Sequence, residues 1–265
     1  MCNGSGESNT LEDTSLLVLS CDSYSDAWEP FFFFFFRFWP ACPFPVYLAS
    51  NHLTYPDGRV CMLHIEDPKT DWSTGFLWAV SRIPSRNVIV CMEDYFLSAP
   101  VQEQTVVALI QYARHRDAGY LRFVPIPPPD APCADNPLLG EIHKGSPYRS
   151  ANQAAWWKKE VLQHVLKAGE DPWEFERYGS ARSSQRDEAF LSLRENVGYP
   201  LDYYTTAIRK GMWEPGAVAM CEQYGIRLDF KRRKVMTRYS QWRRSFNANV
   251  KHPVKQWLRR WIRKE

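Results

Sequence analysis

Glycine is missing where nucleotide-binding chains most often need it. No strand-like run in these 265 residues is followed by G-x-G-x-x-G or G-x-x-x-x-G-K-[ST], the loops whose bare N–H groups cradle phosphates, so the usual dinucleotide and P-loop classes are excluded. The seven cysteines, at 2, 21, 42, 61, 91, 133 and 221, form no C-x-x-C and no cluster with histidine. Several sit in apolar runs, where a thiol behaves as a small hydrophobe; neither a zinc site nor a disulfide framework is expected, and the compartment is reducing. The chain opens with no basic segment leading into an apolar one, and no apolar run is long enough to span a bilayer. The expected location is cytoplasmic, with room for peripheral contact on the inner membrane face.

What is present is aromatic and unevenly charged. Hydrophobic residues make up 45% and aromatics 15%, enough for a large core. Residues 231–265 hold thirteen Lys or Arg against one Glu, +12, which leaves −9 on residues 1–230 in a chain of net +3. In that basic stretch Trp257, Leu258 and Trp261 share one helical face beside Arg259, Arg260 and Arg263. This is the composition of a helix lying in an anionic membrane interface; a solvated tail or one touching nucleic acid is the competing view.

The centre of the chain is Asn87–Leu97, NVIVCMEDYFL: a β-branched run that ends in Glu93 and Asp94. Buried strands of parallel sheets read this way, and their carboxyl edge is where open α/β sheets bind ligands. Adjacent carboxylates repel, and a cation between them, such as a divalent metal holding a diphosphate, relieves that repulsion. A solvated turn is the plain alternative. Ser15–Ser20 reads as the first strand, followed by the polar loop Cys21–Asp26; 45–51 and 60–65 read as strands two and three. Helices are expected over Trp28–Trp39, with its six phenylalanines, over 71–84 with Asp71 or Ser73 as cap, over 101–118, and over Ala151–Leu166. The last would turn one of Trp156 and Trp157 away from the core. The Pro-rich 125–147 reads as a long loop of the kind that covers active sites. In Gly169–Ser180, GEDPWEFERYGS, four acids alternate with aromatics; a carboxylate beside such rings has a raised pKa and suits a general base, while Asp171-Pro172 equally suits a helix start. Strand and helix in alternation predict a doubly wound parallel sheet.

With those pieces in order, Leu19–Trp28, Pro45–Leu48, Met92–Phe96 and Asp171–Glu176 resemble the GT-A glycosyltransferases, and more closely a bacterial group from capsule and lipopolysaccharide gene sets. The resemblance implies an α/β, GT-A-like (Rossmann-like) mostly parallel sheet flanked by helices over 14–230. Its nucleotide-binding half would be 14–100 and its acceptor-binding half 101–230, with a flexible leader at 1–13 and a basic helical tail at 231–265. It implies transfer of a sugar from a nucleotide-sugar donor to a hydroxyl of a glycan or lipid-linked acceptor in surface polysaccharide synthesis, with inversion. Ser20, Asp22 and Tyr24 would line the nucleotide pocket, Asn51 would reach base or ribose, Arg82 would pair with it, and Glu93, beside Asp94, would also bind the nucleotide. Asp94 would hold Mn2+ or Mg2+, although Tyr95 occupies the place of a further aspartate. Glu174 is the first candidate for the base and Glu176 the second; Trp173 and Trp213 are candidates for stacking on an acceptor ring. No nucleic-acid partner is expected. The alternatives are a non-catalytic nucleotide- or glycan-binding module with a membrane-docking tail, and a sugar nucleotidyltransferase, which would need a glycine-rich loop where Ser20–Asp26 has no glycine.

Overall fold

The computed structural model describes residues 13–65, 67 and 69–237; of the expected leader only Asp13 falls within them, and the basic tail from 238 onward lies outside. The described chain forms two compact units, one ending at Thr205 and the other beginning at Thr206.

In the first unit, apolar runs make four parallel strands: β1 (Thr14–Leu19), β2 (Val46–Ser50), β3 (Val60–His64) and β4 (Asn87–Met92). They lie side by side in the order β3-β2-β1-β4. Parallel neighbours need crossovers, and helices supply them: α1 (Trp28–Phe38) from β1 to β2, α2 (Trp72–Arg82) from β3 to β4. The phenylalanine run is compatible with a helix because α1 is covered on most sides, with Phe31, Phe32, Phe34 and Phe35 buried.

The short strand β5 (Phe96–Leu97) and helix α3 (Glu103–His115) follow, then β6 (Tyr120–Arg122), β7 (Ala131–Pro132) and β8 (Leu139–Glu141). The stretch 125–147 is therefore not a bare loop. Ala151–Leu166 departs further from expectation: Ala155–Lys158 is a strand, β9, and the helix α4 starts only at Lys159 and ends at Val165. Two adjacent tryptophans cannot both be buried on a surface helix, but successive strand residues point to opposite faces of a sheet covered on both sides. Trp156 and Trp157 are accordingly 1% and 2% exposed. Strand β9 runs antiparallel between β4 and β6, and β10 (Phe190–Leu193) lies parallel to β6. The nine-stranded sheet is thus mixed but mostly parallel, in the order β3-β2-β1-β4-β9-β6-β10-β8-β7.

After α4 the chain makes α5 (Pro172–Glu174), a π turn over Phe175–Gly179, and α6 (Ser180–Ser183). Farther on, β11 (Tyr203–Tyr204) pairs with β5. The second unit has the hairpin β12 (Ile208–Arg209) and β13 (Met212–Trp213), then α7 (Pro215–Gln223). Its two-residue turn places Lys210 and Gly211 at φ +52 and +71, the left-handed pair that tight hairpins require.

Asp71 caps α2. Its carboxylate accepts from the Thr74 N–H at 2.9 Å, the Thr74 and Ser73 hydroxyls at 2.6 and 2.8 Å, and the Gly169 N–H at 3.0 Å. Burial works to raise its pKa, but these donors hold it far below the usual carboxylate range. A depressed carboxyl contributes stability that is complete above the unfolded pKa and is lost as pH falls through the folded one. Asp71→Ala should therefore lower the unfolding free energy by about 1–2 kcal/mol at neutral pH, with the deficit shrinking in strong acid; urea denaturation across pH reads both.

Candidate functional site

The parallel strands β1, β2, β4 and β6 all end at one edge of the sheet, and antiparallel β9 begins there, with Ala155 opposite both Val90 and Arg122. That edge gathers Ser20, Asp22, Asn51, Glu93, Asp94, Arg122 and Asn152. Asp22 and Asn51 meet directly. The Asp22 carboxylate accepts from the backbone N–H groups of Asn51, His52 and Leu53 at 3.0–3.1 Å, and the Asp22 N–H donates to Asn51 Oδ1 at 3.1 Å. Burial pushes the Asp22 carboxyl up, but the three N–H groups outweigh it and the pKa is lowered. Ser20 Oγ accepts the Trp28 indole N–H at 2.8 Å, which ties β1 to α1. Tyr24 lies half-buried in the 3-10 turn Asp22–Ala27.

Arg82 does not join this group. A crossover helix runs antiparallel to its strands, so the end of α2 lies at the opposite edge, where the neighbouring Ile83 carbonyl accepts from Lys159 Nζ at 2.6 Å. The exposed Arg82 guanidinium lies 5.3 Å from the Trp78 ring centroid instead.

The two candidate bases have different surroundings. Glu174 belongs to a capping box: Asp171 Oδ1 accepts the Glu174 N–H at 2.8 Å, and Glu174 Oε2 accepts the Asp171 N–H at 3.1 Å. Its carboxylate closes a helix end. Glu176 points the other way, and its Oε1 accepts the Asn152 N–H at 2.9 Å. Burial is the dominant influence on Glu176 and raises its pKa, against the lowering effects of the Asn152 N–H and the Arg122 charge. Asn152 is a junction: its side-chain amide donates to the Pro172 carbonyl at 2.8 Å, and its own carbonyl accepts the Tyr95 hydroxyl. The Tyr95 phenol is pushed well up by burial and then by Tyr203, Asp94 and Glu176. Asp94 and Glu176 thus both lie close enough to one phenol for their charges to act on it.

Three contributors carried little signal in the sequence. Arg122 is 0% exposed; its guanidinium donates to the Pro127 carbonyl at 2.7 Å and the Tyr148 carbonyl at 3.2 Å. The one cue was an arginine inside the apolar run Tyr120–Val124. Asn152 and Tyr148 had no cue, since their roles come from backbone groups brought together by folding.

Glu176 lines a cavity of about 450 Å3 together with Tyr148, Trp173, Arg177 and Ser180. Trp173 is 71% exposed, open to a ligand. Trp213, in the second unit, is 0% exposed, with the Arg233 guanidinium 5.8 Å from its ring centroid; a buried ring has no face for a sugar, so the stacking role expected of it is not available. A larger hollow of about 730 Å3 lies at the amino ends of β6 and β10. It is charged, but Lys144–Asp187, Arg186–Glu188 and Arg116–Glu141 neutralise one another across it.

Among the described residues no three His, Cys, Asp or Glu side chains lie together as a metal cage. A divalent cation would find Asp94 half-buried and Glu93 buried at the end of β4, and would take its other ligands from a bound molecule. Mg2+ commonly sits in this way, on one or two carboxylates plus substrate phosphates, so the residues fit a metal that arrives with a diphosphate. No helix of the described residues is long and apolar enough to cross a membrane.

No protein-family model and no curated protein matches the sequence. Among solved structures, S. aureus TarS 1-349 in complex with UDP is similar at a TM-score of 0.51 and 10% identity, over 74% of this chain and 61% of that one. A mannosyltransferase from Pyrobaculum calidifontis in complex with GDP-Man and Mn2+ reaches 0.46 at 10% identity, over 75% and 58%. A 2-C-methyl-D-erythritol 4-phosphate cytidylyltransferase from Thermus thermophilus reaches 0.45 at 14%, over 79% and 97%. The last two carry no structural argument at those scores. The first supports the GT-A-like, Rossmann-like α/β fold and nothing finer; the chain spans about three fifths of the TarS fragment's length.

A carboxyl whose pKa is raised on folding destabilises the protein once it ionises, so its contribution is unfavourable above the folded pKa and vanishes below the unfolded one. Glu176→Gln keeps an acceptor for the Asn152 N–H and removes the buried charge. The variant should melt higher than the parent at neutral pH, with the gap closing in acid below the ordinary glutamate range; calorimetry at several pH values measures it.

Proposed function

We propose that this chain is a glycosyltransferase that moves a sugar from a nucleotide-sugar donor to a hydroxyl of a glycan or lipid-linked acceptor. The observation that carries the reading is Glu176: a half-buried residue that lines a cavity, bonded to the Asn152 N–H at 2.9 Å, with its carboxyl pKa raised by burial. The donor's nucleoside would lie along the loops after β1 and β2, against Ser20, Asp22, Tyr24 and Asn51, with its diphosphate towards Glu93 and Asp94. The acceptor hydroxyl would stand at Glu176, on the side of the anomeric carbon away from the diphosphate. In the transfer, the acceptor oxygen forms the new bond to the anomeric carbon as the carbon–oxygen bond to the diphosphate breaks. The hydroxyl proton passes to Glu176, and the nucleoside diphosphate leaves with the bonding pair. Attack from the face opposite the leaving group inverts the centre. A carboxyl whose pKa burial raises is better suited than a free carboxylate to accept the proton. Mn2+ or Mg2+ on Asp94 would supply charge neutralisation at the departing diphosphate.

The acceptor class we favour is a surface polysaccharide or its lipid-linked precursor, reached at the inner membrane face through residues 231–265, whose charge and tryptophans suit an anionic interface. UDP is the first nucleotide to try, because the TarS fragment was solved with it.

Glu176→Gln and Asp94→Asn should each slow nucleoside diphosphate release from a nucleotide-sugar and acceptor by about 10^2–10^4-fold. Glu174→Gln should stay near the parent rate, because glutamine also serves in a capping box. Full activity in Glu176→Gln would reject the assignment. Pyrophosphate release from a nucleoside triphosphate would instead mark a nucleotidyltransferase.

A further inference from the structure

A hollow of about 290 Å3 lies at the amino edge of the sheet, where β1 and β4 begin, β9 ends and α3 runs out. We infer that it binds a small oxyanion, a carboxylate or inorganic phosphate, with the Trp156 indole N–H and the Lys159 ammonium as donors. The inference goes beyond the transferase reading and does not rest on it, because the residues of that reading stand at the opposite edge.

Trp156 forms part of the lining and is 1% exposed, yet its indole N–H has no hydrogen-bond partner among the described residues. Thr14, which is 0% exposed and pairs with the lining residue Asn87, has its hydroxyl in the same condition. Folded proteins bond nearly every buried polar atom. An orphaned donor in the wall of a hollow therefore points to an acceptor bound there.

The rest of the lining is short of acceptors as well. Arg86, Arg114, Lys158 and Lys159 carry only donors, as the indole does. The lining has three carboxylates, and each is already engaged: Asp13 with Arg86 at 3.0 Å and Arg114 at 3.7 Å, Asp117 and Glu160 with Lys158 at 3.1 and 3.0 Å. Four cations thus stand against three carboxylates. Lys159 is the one left over: its Nζ donates to the Ile83 carbonyl at 2.6 Å, and among the described residues no carboxylate lies within ion-pair distance of it. Burial pushes that ammonium's pKa down and outweighs the opposing pull of the Asp13 charge. An oxyanion in the hollow supplies the counter-charge that the chain itself does not place there, and an acceptor for the indole.

The volume falls just under the range of small-molecule sites, roughly 300–1,000 Å3, which suits an ion of a few atoms and not a nucleotide-sugar. With a single cation left to neutralise, the occupant is an anion of low charge. A buried water would satisfy the indole N–H but not the ammonium, so the response to an oxyanion at constant ionic strength separates ion from solvent.

Proton–nitrogen NMR of the full chain tests this through the indole N–H groups of its 11 tryptophans. The Trp156 resonance is assigned by through-bond correlation to its own backbone, which needs no substitution in the core. Sodium phosphate, and separately sodium acetate, replaces sodium chloride at constant ionic strength and pH. With at least one of the two oxyanions the Trp156 indole resonance should move downfield and saturate, and move further than any other indole resonance. Lys159→Met removes the charge and keeps the stem; it should raise the half-saturation concentration about tenfold, the loss expected of one charge-assisted hydrogen bond. Lys159→Arg should stay near the parent. Melting temperatures report intact folding, and Lys159→Gln makes the same comparison in place of a methionine variant that does not fold. Saturation by phosphate alone identifies a phosphate site, by acetate alone a carboxylate site, and by both a general oxyanion site. No movement with either salt, movement that does not saturate, or a half-saturation unchanged when the Lys159 charge is removed would overturn the inference.

Discussion

Phe175 is the fixed point on which the site depends. Its ring sits 5.6 Å from Trp72 and 6.4 Å from both Phe76 and Trp157, centroid to centroid. It therefore joins α2, the central antiparallel strand and its own helical segment in one apolar cluster. Fully burying such a side chain stabilises by about 1.5–3 kcal/mol, enough to decide which way a short segment faces. With Phe175 turned inward, its two neighbours go in different directions: Glu174 back to the helix start at Asp171, Glu176 to the Asn152 N–H. The difference between a carboxylate that caps its own helix and one that bonds the Asn152 N–H is thus set by the phenylalanine between them.

Around that anchor the electrostatics oppose one another. Burial favours the neutral form of Glu176, while a backbone donor and the Arg122 charge favour the ionised form, and burial prevails. Arg122 also bonds the carbonyls of Pro127 and Tyr148, so the same cation that moderates the carboxyl holds the chain beside it. Tyr95 links the arrangement to β4. Standing where a further aspartate would extend the acidic pair, it uses its hydroxyl to secure Asn152 and stacks on Tyr203 at 4.9 Å. Among the described residues the edge therefore offers the adjacent pair Glu93 and Asp94 and no third carboxylate beside them.

Much of the frame was legible because local signals agreed with the fold. The β-branched run Val88–Val90 and the leucines of β1 could only be buried strands, and Asp71 carried both a cap and the spacing of an amphipathic helix behind it. Ala151–Leu166 was misread because a short apolar run has no period that separates strand from helix; the two tryptophans needed the knowledge that the sheet is covered on both sides. Glu174 drew attention through D-P-W-E, but that spacing is itself the mark of a capping box, and Glu176 was the carboxylate left free to turn into the site. Arg82 was misplaced because its position depends on which edge a crossover helix returns to. Asn152 works through its backbone, which composition cannot reveal.

The π turn over Phe175–Gly179 carries a consequence for the history of such chains. A π turn is an α-helix with one residue more than its hydrogen bonding needs, and here the Ser180 hydroxyl takes up the Glu176 carbonyl at 2.5 Å. Removing a single residue between Asp171 and Ser180 would restore ordinary helical pitch and swing the acid by roughly 100° about the axis, out of register with Asn152. The Glu176–Asn152 bond should then survive sequence drift across this stretch far better than any indel.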